Sequence, residues 1–186
     1  KYGCTVYLQS ASAKLNLYGG QFGHNADTTQ ATIGMNIKGA YVAMYSGATI
    51  CRMKGAYGPQ VYVAKGTFEM FGGLITDGDN RKNYGGNVKV GDDNGETASF
   101  IMHDGIIAYG KAKNGGNIHV NGTKSSFIQN GGLIYMGMAG YITKDGMGGN
   151  IYMDLGGTAQ LDSKVVYGKS YASGGNIYAK NATISV

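Results

Sequence analysis

The side chains able to do acid–base, nucleophilic or metal chemistry in this chain are few and scattered. There are three histidines (His24, His103, His119), two cysteines (Cys4, Cys51) and eleven acidic residues. Nucleophilic catalysis needs a serine or cysteine beside a base that a third group orients. Here His119 falls on an outward strand position, His103 at a turn, and Cys51 at an inward position where a thiol is inert. Metal spacings of the CxxC or HExxH kind are absent. Glycoside hydrolysis needs two opposed carboxylates, yet Asp77, Asp79, Asp92, Asp93, Glu96 and Asp145 all read as loop residues. The loops Asp77-Gly78-Asp79-Asn80 and Asp92-Asp93-Asn94-Gly95-Glu96 hold enough oxygen to interest calcium. That makes Asp77, Asp79, Asp92 and Asp93 weak calcium candidates. Neither loop matches the full twelve-residue calcium loop, and solvated turns are the plainer reading. The residues therefore point to no catalytic set, no metal site and no cofactor.

The elements that must position these residues come from an internal repeat, which is the first thing to seek in a glycine-rich chain. Seven copies of one short alternating run can be aligned. They begin at Thr5, Asn36, Gln60, Asn87, Asn117, Asn150 and Asn176, with successive spacings of 31, 24, 27, 30, 33 and 26 residues. The last four copies are preceded by glycine pairs (Gly85-Gly86, Gly115-Gly116, Gly148-Gly149, Gly174-Gly175), giving four occurrences of GGN[IV]x[VMA]. A second run follows each first one: Leu15-Asn16-Leu17, Cys51-Arg52-Met53, Phe68-Glu69-Met70, Phe100-Ile101-Met102, Phe127-Ile128-Gln129, Ala159-Gln160-Leu161 and Ile184-Ser185-Val186. A third short run holds Phe22, Tyr57, Ile75, Ile107, Ile134 and Val166. Loop lengths vary while the period-2 alternation of the runs persists. A propeller blade would need about 40 residues and four antiparallel strands. Three short strands per unit, separated by glycine bends, predict instead an all-β parallel β-helix solenoid of about six to seven coils, with each strand pairing its equivalent about 4.8 Å along the axis.

The predicted inward ladders are Val6, Ile37, Val61, Val88, Ile118, Ile151 and Ile177 on the first strand. On the second they are Leu15, Cys51, Phe68, Phe100, Phe127 and Ala159, then Leu17, Met53, Met70, Met102, Gln129 and Leu161. Gln129 is out of place inside and needs a backbone partner. A polar ladder is expected at the bend, from Asn36, Gln60, Asn87, Asn117, Asn150 and Asn176, whose amides can bond one coil to the next. The outward column of the first strand, Tyr7, Lys38, Tyr62, Lys89, His119, Tyr152 and Tyr178, is the candidate binding face. Aromatic rows stack on sugars and interleaved lysines attract acidic groups; the alternative is that tyrosine simply suits exposed strand positions. No regular threonine ladder of the ice-binding kind is expected.

Composition sets the outer bounds. The 186 residues include 34 glycines, one proline and 42% hydrophobic residues, which excludes collagen and disorder. No apolar run is long enough to span a membrane. Two cysteines do not make a disulfide scaffold. The net charge of +5 favours polyanions weakly, and no run of five like charges points to specific nucleic-acid binding.

The string Gly66-Thr67-Phe68-Glu69-Met70-Phe71-Gly72-Gly73-Leu74-Ile75, followed by Gly85-Gly86-Asn87-Val88, resembles the GTFxMxGGxI…GGNIYV repeats of bacterial cell-surface, adhesin-like right-handed β-helix proteins. More loosely, it is similar to the repeats of polymorphic outer-membrane autotransporter passengers. The resemblance is best over residues 66–179 and degenerate over 5–59. It implies a right-handed coil and an extracellular or cell-surface location, and it brings no catalytic residues because the shared motif is scaffold. The resulting expectation is one solenoid over residues 1–186, a segment of a longer chain with no cap at either end. Its expected role is non-enzymatic, structural or adhesive, with glycans or anionic surface polymers as partners. The alternatives are a subunit that stacks end to end with itself into a filament, and a polysaccharide-acting β-helix enzyme argued from fold analogy.

Overall fold

The computed structural model describes residues 3–23, 32–55, 59–92 and 94–186; His24, Tyr57 and Asp93 lie outside them. Among the described residues there is no helix, and every strand pair is parallel. The chain winds as a right-handed parallel β-helix of about six turns.

Each coil lays down strands on successive faces. The first face is made by Gly3–Leu8, the starts of Thr32–Cys51 and Val61–Met70, then Val88–Val90, Ile118–Asn121, Ile151–Asp154 and Ile177–Ala179. The second face stacks the start of Lys14–Gly23 and the middle of Thr32–Cys51 on the end of Val61–Met70. Ala98–Met102, Ser125–Gln129, Thr158–Leu161 and Thr183–Ser185 continue it. The third holds Leu74–Thr76, Ile106–Ala108, Leu133–Tyr135 and Lys164–Val166, with the ends of Thr32–Cys51 and Lys14–Gly23 beyond. A fourth face, which the sequence pattern did not reveal, pairs Lys54–Gly55, Asp79–Tyr84, Lys111–Asn114, Met138–Ala139 and Lys169–Ser170. Its strands are short and polar, with no apolar alternation to betray them.

Inside, alternation becomes ladders. Val61, Val88, Ile118 and Ile151 stack fully buried on the first face, and Phe68, Phe100 and Phe127 on the second. The Phe68 and Phe100 rings are parallel at 4.8 Å, while Phe100 and Phe127 tilt by 42°. Truncating such a ring leaves a cavity that costs about 3–5 kcal/mol. Gln129 is buried in this core, and its Nε2 donates to the Lys164 carbonyl at 3.4 Å. That gives its amide N–H a backbone partner, while its buried Oε1 has no partner among the described residues.

The early coils correct the alignment. Val6 and Val61 both pair with Met35, and Leu8 and Val63 with Ile37, so the run at Asn36 sits two residues out of the expected register. The second-face partners of Leu15 and Leu17 are Val42 and Met44; Cys51 lies on the third face, beside Thr76. On that face the ladder is Phe22, Ile50, Ile75, Ile107, Ile134 and Val165, with Val165 where Val166 was expected. The cause is continuity: Thr32–Cys51 is one 20-residue strand that turns two corners. No glycine pair immediately precedes its first-face run to mark where that run begins.

Candidate functional site

Two constellations of side chains stand out, one holding the rod together and one displayed on it. The first is the amide spine. Gln60 Nε2 donates to Asn87 Oδ1 at 2.6 Å, Asn87 Nδ2 to Asn117 Oδ1 at 2.7 Å, Asn117 Nδ2 to Asn150 Oδ1 at 2.7 Å, and Asn150 Nδ2 to Asn176 Oδ1 at 2.9 Å. Each central asparagine makes two further bonds. Asn117 donates to the Tyr135 carbonyl and accepts from the Gly110 N–H, and Asn87 and Asn150 repeat this with Ala108 and Gly78, and with Val166 and Gly137. A neutral amide offers two donors and two acceptor sites, so Asn87, Asn117 and Asn150 are saturated. Asn36 is not part of the spine; it pairs with Tyr7 and Tyr62 on the outward column. Gly34 takes the spine position in that coil, and Met53 fills the space: a Cβ at Gly34 would lie 2.3 Å from the Met53 sulfur.

The predicted binding face splits in two. The register places Tyr7, Asn36, Tyr62, Lys89, His119, Tyr152 and Tyr178 in one column, with Asn36 where Lys38 was expected. Lys38 pairs instead with Lys65 further along the strand and is exposed. Tyr7 is exposed and Lys89 sits 5.1 Å from the Tyr62 ring centroid. His119 and Tyr152, however, are buried. Tyr84 folds back over them, its ring 4.9 Å from His119 and 5.7 Å from Tyr152, and His119 Nε2 lies 2.9 Å from Asp154 Oδ1. Burial, with the Asp154 charge second, pushes the Tyr152 hydroxyl up to about 12. Tyr152 and Tyr178 stack face to face at 5.8 Å, so their shared ring faces are spent on each other.

A second aromatic column escaped sequence reasoning. Tyr18, Tyr45, Phe71 and His103 form a continuous stack with centroid spacings of 4.7, 5.3 and 4.8 Å. His103 Nε2 lies 3.6 Å from Glu69, which also accepts the Tyr41 hydroxyl. That bond pushes the Tyr41 hydroxyl up to about 12, burial adding to it. Here too the inner rings face each other, while Tyr18, at the end of the stack, is 67% exposed. On the second face Thr67, Ser99, Ser126 and Thr158 make a mixed hydroxyl column, with Ser126 Oγ donating to Ser99 Oγ at 3.1 Å.

The displayed constellation is the corner between the third and fourth faces. Arg52, Asp77, Tyr109, Met136 and Tyr167 take the same corner position in successive coils, and all have positive φ, from 53° to 60°. Such backbone is costly for bulky side chains. The spine explains it. In four of these coils the next residue is glycine (Gly78, Gly110, Gly137, Gly168), whose N–H bonds the spine asparagine. A Cβ at Gly110 would sit 2.2 Å from the Gly116 carbonyl oxygen. The turn thus forces the preceding side chain outward: Tyr167 is 75% exposed and Tyr109 43%. The tripeptide Tyr-Gly-Lys occurs twice, at 109–111 and 167–169, a repeat that the alignment of apolar runs passed over and that could have marked this corner.

The calcium candidates are not gathered. Asp77 accepts from Thr76, Asp79 is buried and accepts from Tyr141, and Asp92 accepts from Tyr62 and closes a turn on Asn94. Among the described residues no three metal-ligating side chains cluster, and Asp93 lies outside them. Cys4 is exposed and Cys51 buried, both as free thiols. No helix among the described residues is long and apolar enough to cross a membrane. No family model, curated protein or solved structure matches this chain.

Proposed function

We propose that the chain is a non-enzymatic, extracellular or cell-surface β-helix module with a structural and adhesive role. The observation that carries this reading is the amide spine, in which the polar groups of three consecutive buried asparagines are wholly committed to axial cohesion. Fully satisfied buried networks rigidify a fold. A stiff rod that repeats its outer side chains about every 4.8 Å suits contact with an extended, repeating polymer. The histidines that meet carboxylates, His119 with Asp154 and His103 with Glu69, link neighbouring coils. The test is retention of the bead-bound chain on cell-surface polysaccharides, assayed together with release of sugar ends. Retention without new reducing or unsaturated ends is expected. New ends would overturn the non-enzymatic part, and no retention on any polymer would overturn the adhesive part.

A filament is the second reading. The strands Ile177–Ala179 and Thr183–Ser185 have a paired neighbour on one side only, and Ile177 and Ile184 are half-buried. An axial neighbour of like sequence, a further coil or a second copy, would complete both edges. Electron microscopy across a concentration series separates the two: fibres favour the second copy, monomeric particles the further coil.

A further inference from the structure

We propose that the exposed corner and fourth face form a binding strip for a linear acidic polysaccharide. Lys111, Lys144 and Lys169 meet its carboxylates, and Tyr109 and Tyr167 meet its sugar rings. The inference deepens the adhesive reading and rests on it.

The register builds the strip. Lys111 pairs with Met138 and Met138 with Lys169, so the two lysines share one column two coils apart, about 10 Å along the axis. Two residues before each lysine, Tyr109 and Tyr167 stand on the corner ridge, held outward by the glycine-to-spine bonds. Each coil that carries this tripeptide therefore offers a ring and an amine side by side. A uronic acid unit offers the complement, an apolar C–H face and a carboxylate.

The amines are steadied rather than neutralised. Lys144 Nζ lies 4.2 Å from the Tyr171 ring centroid and Lys169 Nζ 5.3 Å from the same ring, while Lys111 Nζ is 5.8 Å from the Tyr141 ring. Cation–π contact restrains the long stems without removing the charge, which lowers the ordering cost of binding. All three lysines are exposed, and among the described residues none is within ion-pair distance of a carboxylate. Among the described residues the carboxylates on or beside the strip are three: Asp77, exposed on the corner one coil before Tyr109; Asp145, exposed beside Lys144; and Asp79, the register partner of Lys111, which is buried and takes the Tyr141 hydroxyl.

Two features favour an acidic glycan over nucleic acid or an anionic membrane. The cations beside Tyr109 and Tyr167 are lysines, point charges that lack the fork with which arginine grips phosphate, and the one arginine of the corner column, Arg52, lies two coils before Tyr109. Lys111 and Lys169 also share one column along the rod axis, with Lys144 reaching the ring that Lys169 meets, matching an extended polymer rather than a groove or a plane of headgroups.

The test measures binding of the whole chain to polygalacturonate by biolayer interferometry at low salt. Dextran, single-stranded DNA and phosphatidylserine vesicles are the comparison ligands. The variant Lys111→Gln/Lys144→Gln/Lys169→Gln is set against the charge-matched Lys14→Gln/Lys38→Gln/Lys124→Gln, whose side chains are also exposed. The strip variant is expected to weaken binding at least about tenfold, and the matched variant less than about threefold. Tyr109→Ala/Tyr167→Ala weakens it with the lysines intact, and Lys169→Gln alone serves if the triple variant loses its fold by circular dichroism. Equal losses in the two triple variants, or no binding by the parent chain, overturn the strip. Equal or tighter binding to DNA or vesicles overturns the glycan. Shortening of the polymer during incubation overturns the non-enzymatic reading and leaves the strip standing.

Discussion

On the first face Tyr152 is 5% exposed, stacked on Tyr178 and roofed by Tyr84, whereas at the corner Tyr167 is 75% exposed. Both are tyrosines in the same coil, and both belong to columns that include a basic residue, Lys89 in one and Arg52 in the other. The difference lies in the backbone. Strand residues in register bring identical rings within stacking distance, and the rings cover one another. A left-handed turn residue points away from the rod: Tyr167 has Met136 rather than a ring at the same corner one coil before, and Tyr109 meets Tyr135 edge-on at 5.1 Å instead of stacking face to face. A tyrosine covered by its strand neighbours, like Tyr152, therefore serves cohesion, and one that precedes the turn glycine, like Tyr167, is displayed.

Breaking the element common to both regions should have the largest effect. Asn117→Ala removes four hydrogen bonds, strands the Gly110 N–H and leaves the Tyr135 carbonyl with the Tyr109 N–H alone. A loss of at least about 3 kcal/mol in urea unfolding is expected. Next is the contrast itself: Tyr152→Ala should cost about 3 kcal/mol and Tyr167→Ala less than about 0.5 kcal/mol in the same assay. Equal costs would erase the distinction. A pH titration sharpens it. The folded Tyr152 hydroxyl is pushed up to about 12 from an ordinary 10.0, so the unfolded chain ionises first. Its contribution is fully present below about pH 10 and disappears as pH rises to about 12, a loss on the order of 2 kcal/mol that Tyr152→Phe should abolish. Tyr41, also raised to about 12 by its bond to Glu69, titrates in the same direction. The smallest effect is expected at the edge-exposed stack, where Tyr45→Ala should cost about 1 kcal/mol by thermal melting.

Much of this was legible in the chain. The GGN repeats located Asn87, Asn117, Asn150 and Asn176 on the spine, because glycine pairs and an amide at fixed positions leave one register open. Coils two and three were harder to read. Asn36 looks like a spine residue but Met35 carries the inward pattern, and Gly34 with Met53 replaces the amide altogether. Burial of His119 depends on Tyr84, which ends the polar fourth-face strand Asp79–Tyr84 and carries no periodicity. The corner ridge was hidden because positive φ at Tyr109, Met136 and Tyr167 runs against side-chain preference and is imposed from inside by the spine.

Tyrosine nitration mapped by mass spectrometry, with and without polygalacturonate, tests the central claim most directly. The account predicts that Tyr109 and Tyr167 react in the free chain and are protected by the polymer, while Tyr152 stays unreactive in both. A reactive Tyr152, or protection that falls on Tyr7, Tyr62 and Tyr178 instead of the corner, would contradict it.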